Sequence, residues 1–239
     1  MLSSRWKFQV LRWFSGFVEL LFPKVCLACG DELVPGEDFV CLHCMMDLPP
    51  TGLLGNPAHN PIMDKLVGKV SLSGAVAVYW FDKHAAVQHL MHALKYKKQA
   101  ELGIRLGRLM GAEWQYNCPM KEAFVLIPVP LHPARLRKRG YNQAEQLALG
   151  FAEKTGFPLA PHLLKRRVNN ITQTGKTKED RWQNVRSIFE CTEYIHQPVI
   201  LVDDVITTGS TLEACIAALN QKGITRIVVL SFAAARIHP

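Results

Sequence analysis

Residues 199–219 read "VILVDDVITTGSTLEACIAAL", and the change of character within this stretch decides the fold. The apolar run at its start is typical of a strand that is covered on both faces, as in a parallel sheet. Asp203 and Asp204 follow the run, and the hydroxyl-rich turn "TTGST" then leads into an apolar helical segment. Open parallel sheets bind ligands beyond the carboxyl ends of their strands. The stretch therefore predicts a strand, a ligand-binding turn and a helix.

The turn after the two acids has the chemistry of a phosphate site. A helix N-terminus presents free N–H groups and the positive end of the helix dipole. Carboxylates repel phosphate, so the two acids must bind another part of the ligand. Ribose hydroxyls or a Mg²⁺ ion would be suitable partners for them. A sugar phosphate meets both demands, with its sugar on Asp203 and Asp204. Its phosphate would then lie on the residues of the turn, Thr207, Thr208, Gly209, Ser210 and Thr211.

Strands and helices alternate along much of the remaining chain. Apolar strands are predicted at 74–81, 123–130, 198–203 and 226–235, with a short strand near 159–166. Helices are predicted at 85–96, 102–114, 142–156 and 210–222, with another within 176–186. This alternation predicts an α/β fold, a parallel sheet with helices on its faces. The segment 49–62 is rich in Pro, Gly and Asn and is predicted to be a linker or loop.

Four cysteines before this region form two Cys-x-x-Cys pairs, separated by eleven residues: Cys26, Cys29, Cys41 and Cys44. Each pair can offer two thiolates to one tetrahedral ion from a tight turn. The alternatives are disulfides or redox-active thiols, but disulfides require an oxidising compartment and no secretory segment supports one. We expect a structural zinc ion whose four thiolates leave no open position for chemistry.

The formal net charge of +8 is concentrated in one part of the chain. Residues 132–186 hold twelve Lys or Arg and four acids, and so carry the whole excess. This concentration suits a nucleic acid or a polyphosphate, whereas a solvated basic face is the alternative interpretation. Four of these bases follow the strand predicted at 123–130: Arg135, Arg137, Lys138 and Arg139. Arginine can bind a diphosphate bidentately, although a flexible basic loop would have the same composition.

Residues 1–24 are predicted to form an amphipathic helix with an aromatic and basic character. Such a helix suits a membrane surface or a partner groove, and docking on its own domain is the alternative. Arg12 and Glu19 interrupt the apolar region, which is therefore a poor signal peptide, and no apolar stretch has the length of a membrane span. We expect a cytoplasmic protein that can associate with the inner face of the membrane.

Several segments resemble known proteins. The stretch "VILVDDVITTGST" resembles the motif with which type I phosphoribosyltransferases bind 5-phosphoribosyl 1-diphosphate (PRPP). Taken in order, "CLAC…CLHC", residues 94–107, 127–148 and 172–189, and the PRPP motif resemble the ComF family. That family includes ComFC and GntX proteins and is associated with natural competence for DNA uptake. The resemblance covers the chain from Cys26 onwards.

The resemblance implies a zinc finger followed by a phosphoribosyltransferase domain. We expect an amphipathic helix at 1–24, a zinc finger at 25–50, a linker at 51–70 and the phosphoribosyltransferase-like domain at 71–239. In the implied site, Asp203 and Asp204 are catalytic and hold the ribose hydroxyls directly or through Mg²⁺, and residues 207–211 hold the 5′-phosphate. Arg135, Arg137, Lys138 and Arg139 would bind the pyrophosphate or a DNA backbone.

Three functional hypotheses follow. The favoured one is a protein of natural transformation that binds PRPP-type ligands and incoming single-stranded DNA in the cytoplasm. The second is an active phosphoribosyltransferase that transfers phosphoribosyl from PRPP to an unidentified nitrogen nucleophile. The third is a scaffold that recruits membrane or protein partners, among them other DNA-uptake proteins, through the zinc module or the N-terminal helix. The expected cofactors are structural Zn²⁺ and Mg²⁺ bound with PRPP.

Overall fold

A computed structural model describes residues 23–68, 70–82, 85–167 and 188–236. The chain divides into two compact units, Met1–Leu48 and Pro49–Pro239. The predicted helices at 1–24 and within 176–186 fall on residues outside those described, apart from the last two of the first helix. None of the described helices combines the length and the apolar composition needed to cross a membrane.

The described part of the first unit is organised around its four cysteines. The turn that carries the first pair is closed by the Cys26 N–H, which donates to the Asp31 carbonyl at 2.8 Å. The second pair brackets the start of helix α1, Leu42–Met46, and the Cys44 N–H donates to the Cys41 sulfur at 3.4 Å. Each Cys-x-x-Cys pair therefore lies on a local turn, as its spacing predicts.

The second unit contains all six described strands and the remaining described helices. The strands are β1 Gly74–Phe81, β2 Val125–Pro128, β3 Leu164–Arg166, β4 Phe189–Cys191, β5 Val199–Ile206 and β6 Ile227–Ala235. The helices are α2 Pro61–Leu66, α3 Ala86–Tyr96, α4 Ala100–Asn117, α5 Pro133–Arg139, α6 Gln143–Thr155 and α7 Ser210–Gln221, with a 3₁₀ turn at Leu53–Gly55.

A four-stranded parallel sheet forms the centre of this unit, in the order β1-β6-β5-β2. The first four residues of β5 are fully buried because both faces of the sheet are covered. On one face, Leu201 and Val229 belong to the same core cluster as Leu212 of α7 and Leu66 of α2. Helices α4 and α6 contact the central strands as well. The predicted α/β fold, a parallel sheet flanked by helices, is confirmed.

Helices α4 and α6 approach each other closely because both carry glycine where they cross. A Cβ atom added to Gly107 would lie 2.1 Å from the carbonyl oxygen of Leu147, and one added to Gly150 would lie 1.9 Å from that of Ile104. Both distances are far below van der Waals contact, so only glycine fits at either position.

The segment predicted as a linker, 51–70, differs from that expectation. Its described residues include the 3₁₀ turn and α2, and both Ile62 and Leu66 are completely buried. Asn60 begins α2 by accepting hydrogen bonds from the Ile62 and Met63 N–H groups at 3.0 and 3.1 Å. The many Pro, Gly and Asn residues here build caps and turns of a packed element rather than a flexible connection.

Two further elements were not predicted. The basic residues after β2 lie on the short helix α5, which begins with Pro133 and ends at Gly140 with φ of 86°. A flexible basic loop is therefore not what the described structure shows. Strands β3 and β4 form a two-stranded antiparallel sheet in which Leu164 pairs with Cys191. Only β3 falls within a strand predicted from the sequence, at 159–166.

Candidate functional site

A cleft of about 180 Å³ opens at the carboxyl ends of β2 and β5. Its lining includes Asp203 and Asp204 at the end of β5, and Arg135 and Arg139 of α5. A smaller cavity of about 40 Å³ shares Asp203 and is otherwise lined by the turn at 205–212. The parallel sheet thus places the two acids between two recesses, at the edge where such sheets bind ligands.

The two acids are held by backbone donors and by one cation. Asp203 Oδ1 accepts from the Asp204 N–H at 2.8 Å, and Asp204 Oδ1 accepts from the Val205 N–H at 2.9 Å. Lys95 Nζ lies 2.7 Å from Asp204 Oδ2. Burial and then the Asp204 carboxylate raise the pKa of Asp203, which Lys95 opposes in part. The carboxyl oxygens of the pair can accept hydrogen bonds from sugar hydroxyls.

The turn at 207–211 contacts helix α2. Gly209 has φ of 83°, a backbone conformation that favours glycine, and a Cβ atom there would lie 2.9 Å from Leu66 Cδ2 of α2. Lys65 Nζ donates to the Thr207 carbonyl oxygen. The Thr208 and Ser210 hydroxyl oxygens are 3.1 Å apart at the start of α7. The smaller cavity therefore lies at the N-terminus of α7 and is lined by hydroxyl groups, the arrangement that phosphate binds.

The four basic residues of α5 separate into two groups. Arg135 and Arg139 line the cleft, whereas Arg137 and Lys138 are absent from its lining. Residues four apart share one face of a helix, and those between them point elsewhere. Helix α5 thus contributes Arg135 and Arg139 to the cleft lining, whereas Arg137 and Lys138 are exposed outside it.

The four cysteines of the first unit come together in space. Their sulfur atoms all lie within 4.8 Å of one another, and those of Cys29 and Cys41 are 3.8 Å apart. Tetrahedral zinc with Zn–S bonds of about 2.3 Å would place its sulfurs about 3.8 Å apart. Cys26 Sγ accepts from the Ala28 and Cys41 N–H groups at 3.4 and 3.3 Å, as a thiolate ligand does. The cluster can hold a metal ion of the zinc type.

Comparison with known proteins identifies the chain. A family model described as the phosphoribosyl transferase domain matches residues 139–238, which include β5, the acids and the turn. Competence protein F of Haemophilus influenzae is 34% identical over 171 residues, which cover 65% of this chain and 74% of that protein. This chain belongs to the ComF family.

Two further ComF-family relatives match over most of their lengths. Competence protein ComFC of Bacillus subtilis is 26% identical over 225 residues, covering 90% of this chain and 85% of that protein. DNA utilization protein YhgH of Escherichia coli K12 is 24% identical over 221 residues, covering 88% of this chain and 96% of that protein. Both matches extend well beyond the 139–238 region of the domain model.

The ComF-family cleft also contains Arg166, which the sequence analysis did not single out. It stands in the run Lys165–Arg167, whose flanking residues are exposed, and Arg167 forms an ion pair with Glu190 at 2.9 Å. The guanidinium of Arg166 lies 5.3 Å from the centre of the Phe189 ring. Burial, and then the charge of Arg135, lower its pKa. The sequence did hold a signal for Arg166. Successive side chains of a strand point to opposite faces, so Arg166 faces away from Lys165 and Arg167.

Gln143 is a second residue that the sequence analysis missed. It is 3% exposed and lines the cleft. Its Oε1 accepts from Arg139 Nη1 at 2.8 Å, whereas among the described residues its Nε2 has no hydrogen-bond partner. A buried amide donor without a partner is costly, which is typical of a position where a ligand or water completes the site.

The residues beside Gln143 take structural roles. Asn142 caps α6 by accepting from the Ala144 N–H at 3.2 Å, and its amide donates to the Val129 carbonyl at 3.0 Å. The Tyr141 hydroxyl donates to the Leu94 carbonyl, and burial raises its pKa. Four polar residues of the family segment at 172–189 lie outside the described residues: Gln173, Lys176, Arg181 and Asn184.

Proposed function

We propose that this ComF-family protein binds a PRPP-type ligand with Mg²⁺ and also binds incoming single-stranded DNA, in the cytoplasm, during natural transformation. One observation carries the proposal: Asp203 and Asp204 lie between a phosphate-type turn and a cleft lined by cations. The family membership and the names of the competence and DNA-utilization relatives support the role in DNA uptake.

The two recesses match the parts of PRPP. The 5′-phosphate would bind at 207–211, and the ribose hydroxyls would bind Asp203 and Asp204. The diphosphate would lie in the larger cleft, where four cations converge: Lys95, Arg135, Arg139 and Arg166. Mg²⁺ bound with the diphosphate would neutralise part of its charge and reach the acids through water. The buried Gln143 amide supplies a donor for an oxygen atom of such a ligand.

The DNA-binding part of the proposal rests on the outer face of α5. Arg137 and Lys138 are exposed and do not line the cleft, so they remain available when a small ligand is bound there. Cations that neutralise phosphates release counterions, which makes the affinity fall as salt rises.

Phosphoribosyl transfer is the second candidate, and the four cleft cations favour it. In that reaction the nucleophile's nitrogen forms a bond to C1 of the ribose, the bond from C1 to the diphosphate oxygen breaks, and the diphosphate leaves with the electron pair. The nitrogen then loses its proton to solvent or base. Fixed cations around the leaving group would stabilise the charge that it gains. The nitrogen nucleophile remains to be identified by experiment.

Variants on the two faces of α5 test PRPP binding and DNA binding separately. We expect PRPP to bind in calorimetry with Mg²⁺, and Arg135→Ala to weaken that binding by about tenfold or more, since a charged hydrogen bond contributes about 1.5–3 kcal/mol. Arg137→Ala combined with Lys138→Ala should leave PRPP affinity unchanged. The same double variant should weaken single-stranded DNA binding in fluorescence anisotropy and reduce the salt slope by about 1.4.

The control for the site itself is Asp203→Ala combined with Asp204→Ala, which should abolish PRPP binding. PRPP that fails to bind the unaltered protein would refute the ligand proposal. DNA affinity that does not respond to salt or to the α5 variants would refute the DNA proposal, irrespective of the PRPP result.

A further inference from the structure

Tyr96 is a large aromatic residue exposed at the surface, at the last position of α3. Its exposed fraction is 58%. A tyrosine of this kind contributes little to a core, and aromatic side chains are enriched where proteins contact partners. Its neighbours therefore decide whether it has a function.

The ring of Tyr96 is held in place without being buried. Arg139 lies over it, with its guanidinium carbon 5.5 Å from the ring centre. The His92 ring lies 4.8 Å away, tilted by 42°. The bond from the Tyr141 hydroxyl to the Leu94 carbonyl ties the end of α3 to the turn between α5 and α6. Tyr96, His92 and Arg139 thus form one layer of contacting side chains at the surface, and contacts of this kind reduce the rotamer entropy that is lost on binding.

This layer lies at the rim of the cleft. Lys95, the residue before Tyr96, forms the ion pair with Asp204 inside the cleft, and Arg139 lines the cleft itself. Lys97 and Lys98 follow Tyr96 directly, and Arg137 and Lys138 precede Arg139. An aromatic surface is thus flanked by cations on both contributing segments.

We propose that Tyr96, with Arg139 and His92, forms a platform on which a base of single-stranded DNA stacks while its phosphates follow the cations of α5. This inference rests on the proposed DNA-binding function and adds to it a site for the base. Aromatic rings and guanidinium planes stack on every base, so the platform binds without regard to sequence. Proteins that bind single strands combine aromatic groups and cations in this way.

The experiment compares two oligonucleotides of equal length and charge, about 12 nucleotides long, in fluorescence anisotropy. One is oligothymidine and the other consists of abasic tetrahydrofuran units. We expect the unaltered protein to bind oligothymidine at least about fivefold more tightly, because stacking contributes about 1–3 kcal/mol per base. Tyr96→Ala should remove most of this preference, and Tyr96→Phe should retain it, since only the ring is needed.

Tyr194→Ala is the matched control. Tyr194 is 50% exposed and its ring lies 4.7 Å from that of His196, but it precedes the amino end of β5, opposite the cleft. Its replacement should leave the preference unchanged. Equal binding of both oligonucleotides by the unaltered protein would overturn the platform and leave DNA binding intact. If Tyr96→Ala and Tyr194→Ala reduced the preference for oligothymidine equally, the platform proposal would also be overturned. Binding of neither oligonucleotide would refute the proposed DNA-binding function itself.

Discussion

At the scale of single residues, Asp203 belongs to the proposed ligand site, but its ionisation lowers the stability of the folded protein. Its folded-state pKa is raised above the ordinary value, first by burial and then by Asp204. The folded protein therefore holds this proton to a higher pH than the unfolded chain does, and stability falls as the pH rises between the two pKa values. Asp203→Asn removes that loss and keeps an oxygen acceptor for the Asp204 N–H.

We expect Asp203→Asn to be more stable than the unaltered protein at pH 8, where the carboxyl of the unaltered protein is costly to ionise. The difference should shrink towards pH 4, and PRPP affinity should fall. Urea denaturation at the two pH values measures the first effect and calorimetry the second. Asp204→Asn, which breaks the ion pair with Lys95, should bring no gain in stability. A stability advantage of Asp203→Asn that is equal at both pH values would contradict the argument.

At the scale of elements, the crossing of α4 and α6 depends on glycine. A Cβ atom at Gly107 would lie 2.1 Å from the Leu147 carbonyl oxygen, which belongs to the backbone and cannot move aside. We expect Gly107→Ala to lower the free energy of unfolding by roughly 1–3 kcal/mol, since forcing two packed helices apart exceeds the helix-propensity gain of alanine.

The control for this crossing is Gly55→Ala. A Cβ atom at Gly55 would lie 4.0 Å from the Asn117 carbonyl oxygen, an ordinary contact. Its effect should stay within about 0.5 kcal/mol. Urea denaturation of both variants makes the comparison, and a Gly107→Ala protein as stable as Gly55→Ala would show that the helices do not touch there.

At the scale of the whole molecule, the two units should respond differently to loss of metal. Residues 23–48, the described part of the first unit, bury few apolar side chains, and a small unit of this kind depends on its metal for folding. We expect one zinc ion per chain, and removal by a chelator should abolish amide protection at 23–48 in hydrogen exchange. Strand β5 should remain protected, because its core is a packed sheet without metal.

Cys44→Ser should lower the zinc content, whereas replacement of Cys118, a buried cysteine outside the cluster, should not. Four reactive thiols with no bound zinc would contradict the metal assignment. A loss of β5 protection on chelation would show that the second unit also requires the ion.

Much of the fold follows from local patterns in the sequence. The apolar run of β5, the acids after it and the turn that opens α7 are consecutive, so the strand-turn-helix element could be predicted from this stretch alone. The Cys-x-x-Cys pairs are also local, and their spacing predicted the cluster of sulfurs that the structure shows. Helix α2 could not be predicted in the same way, because the abundant turn-forming residues that precede it resemble those of a linker.

The residues within 199–219 determined where the candidate site lies, since the strand, the acids and the turn are covalently joined. Only the tertiary structure decided which distant residues complete that site. It brings Lys95 to Asp204, places Arg166 and Gln143 in the cleft, and sets Lys65 and Leu66 beneath the turn. These contacts depend on packing between elements far apart in the chain, which no local pattern of residues encodes.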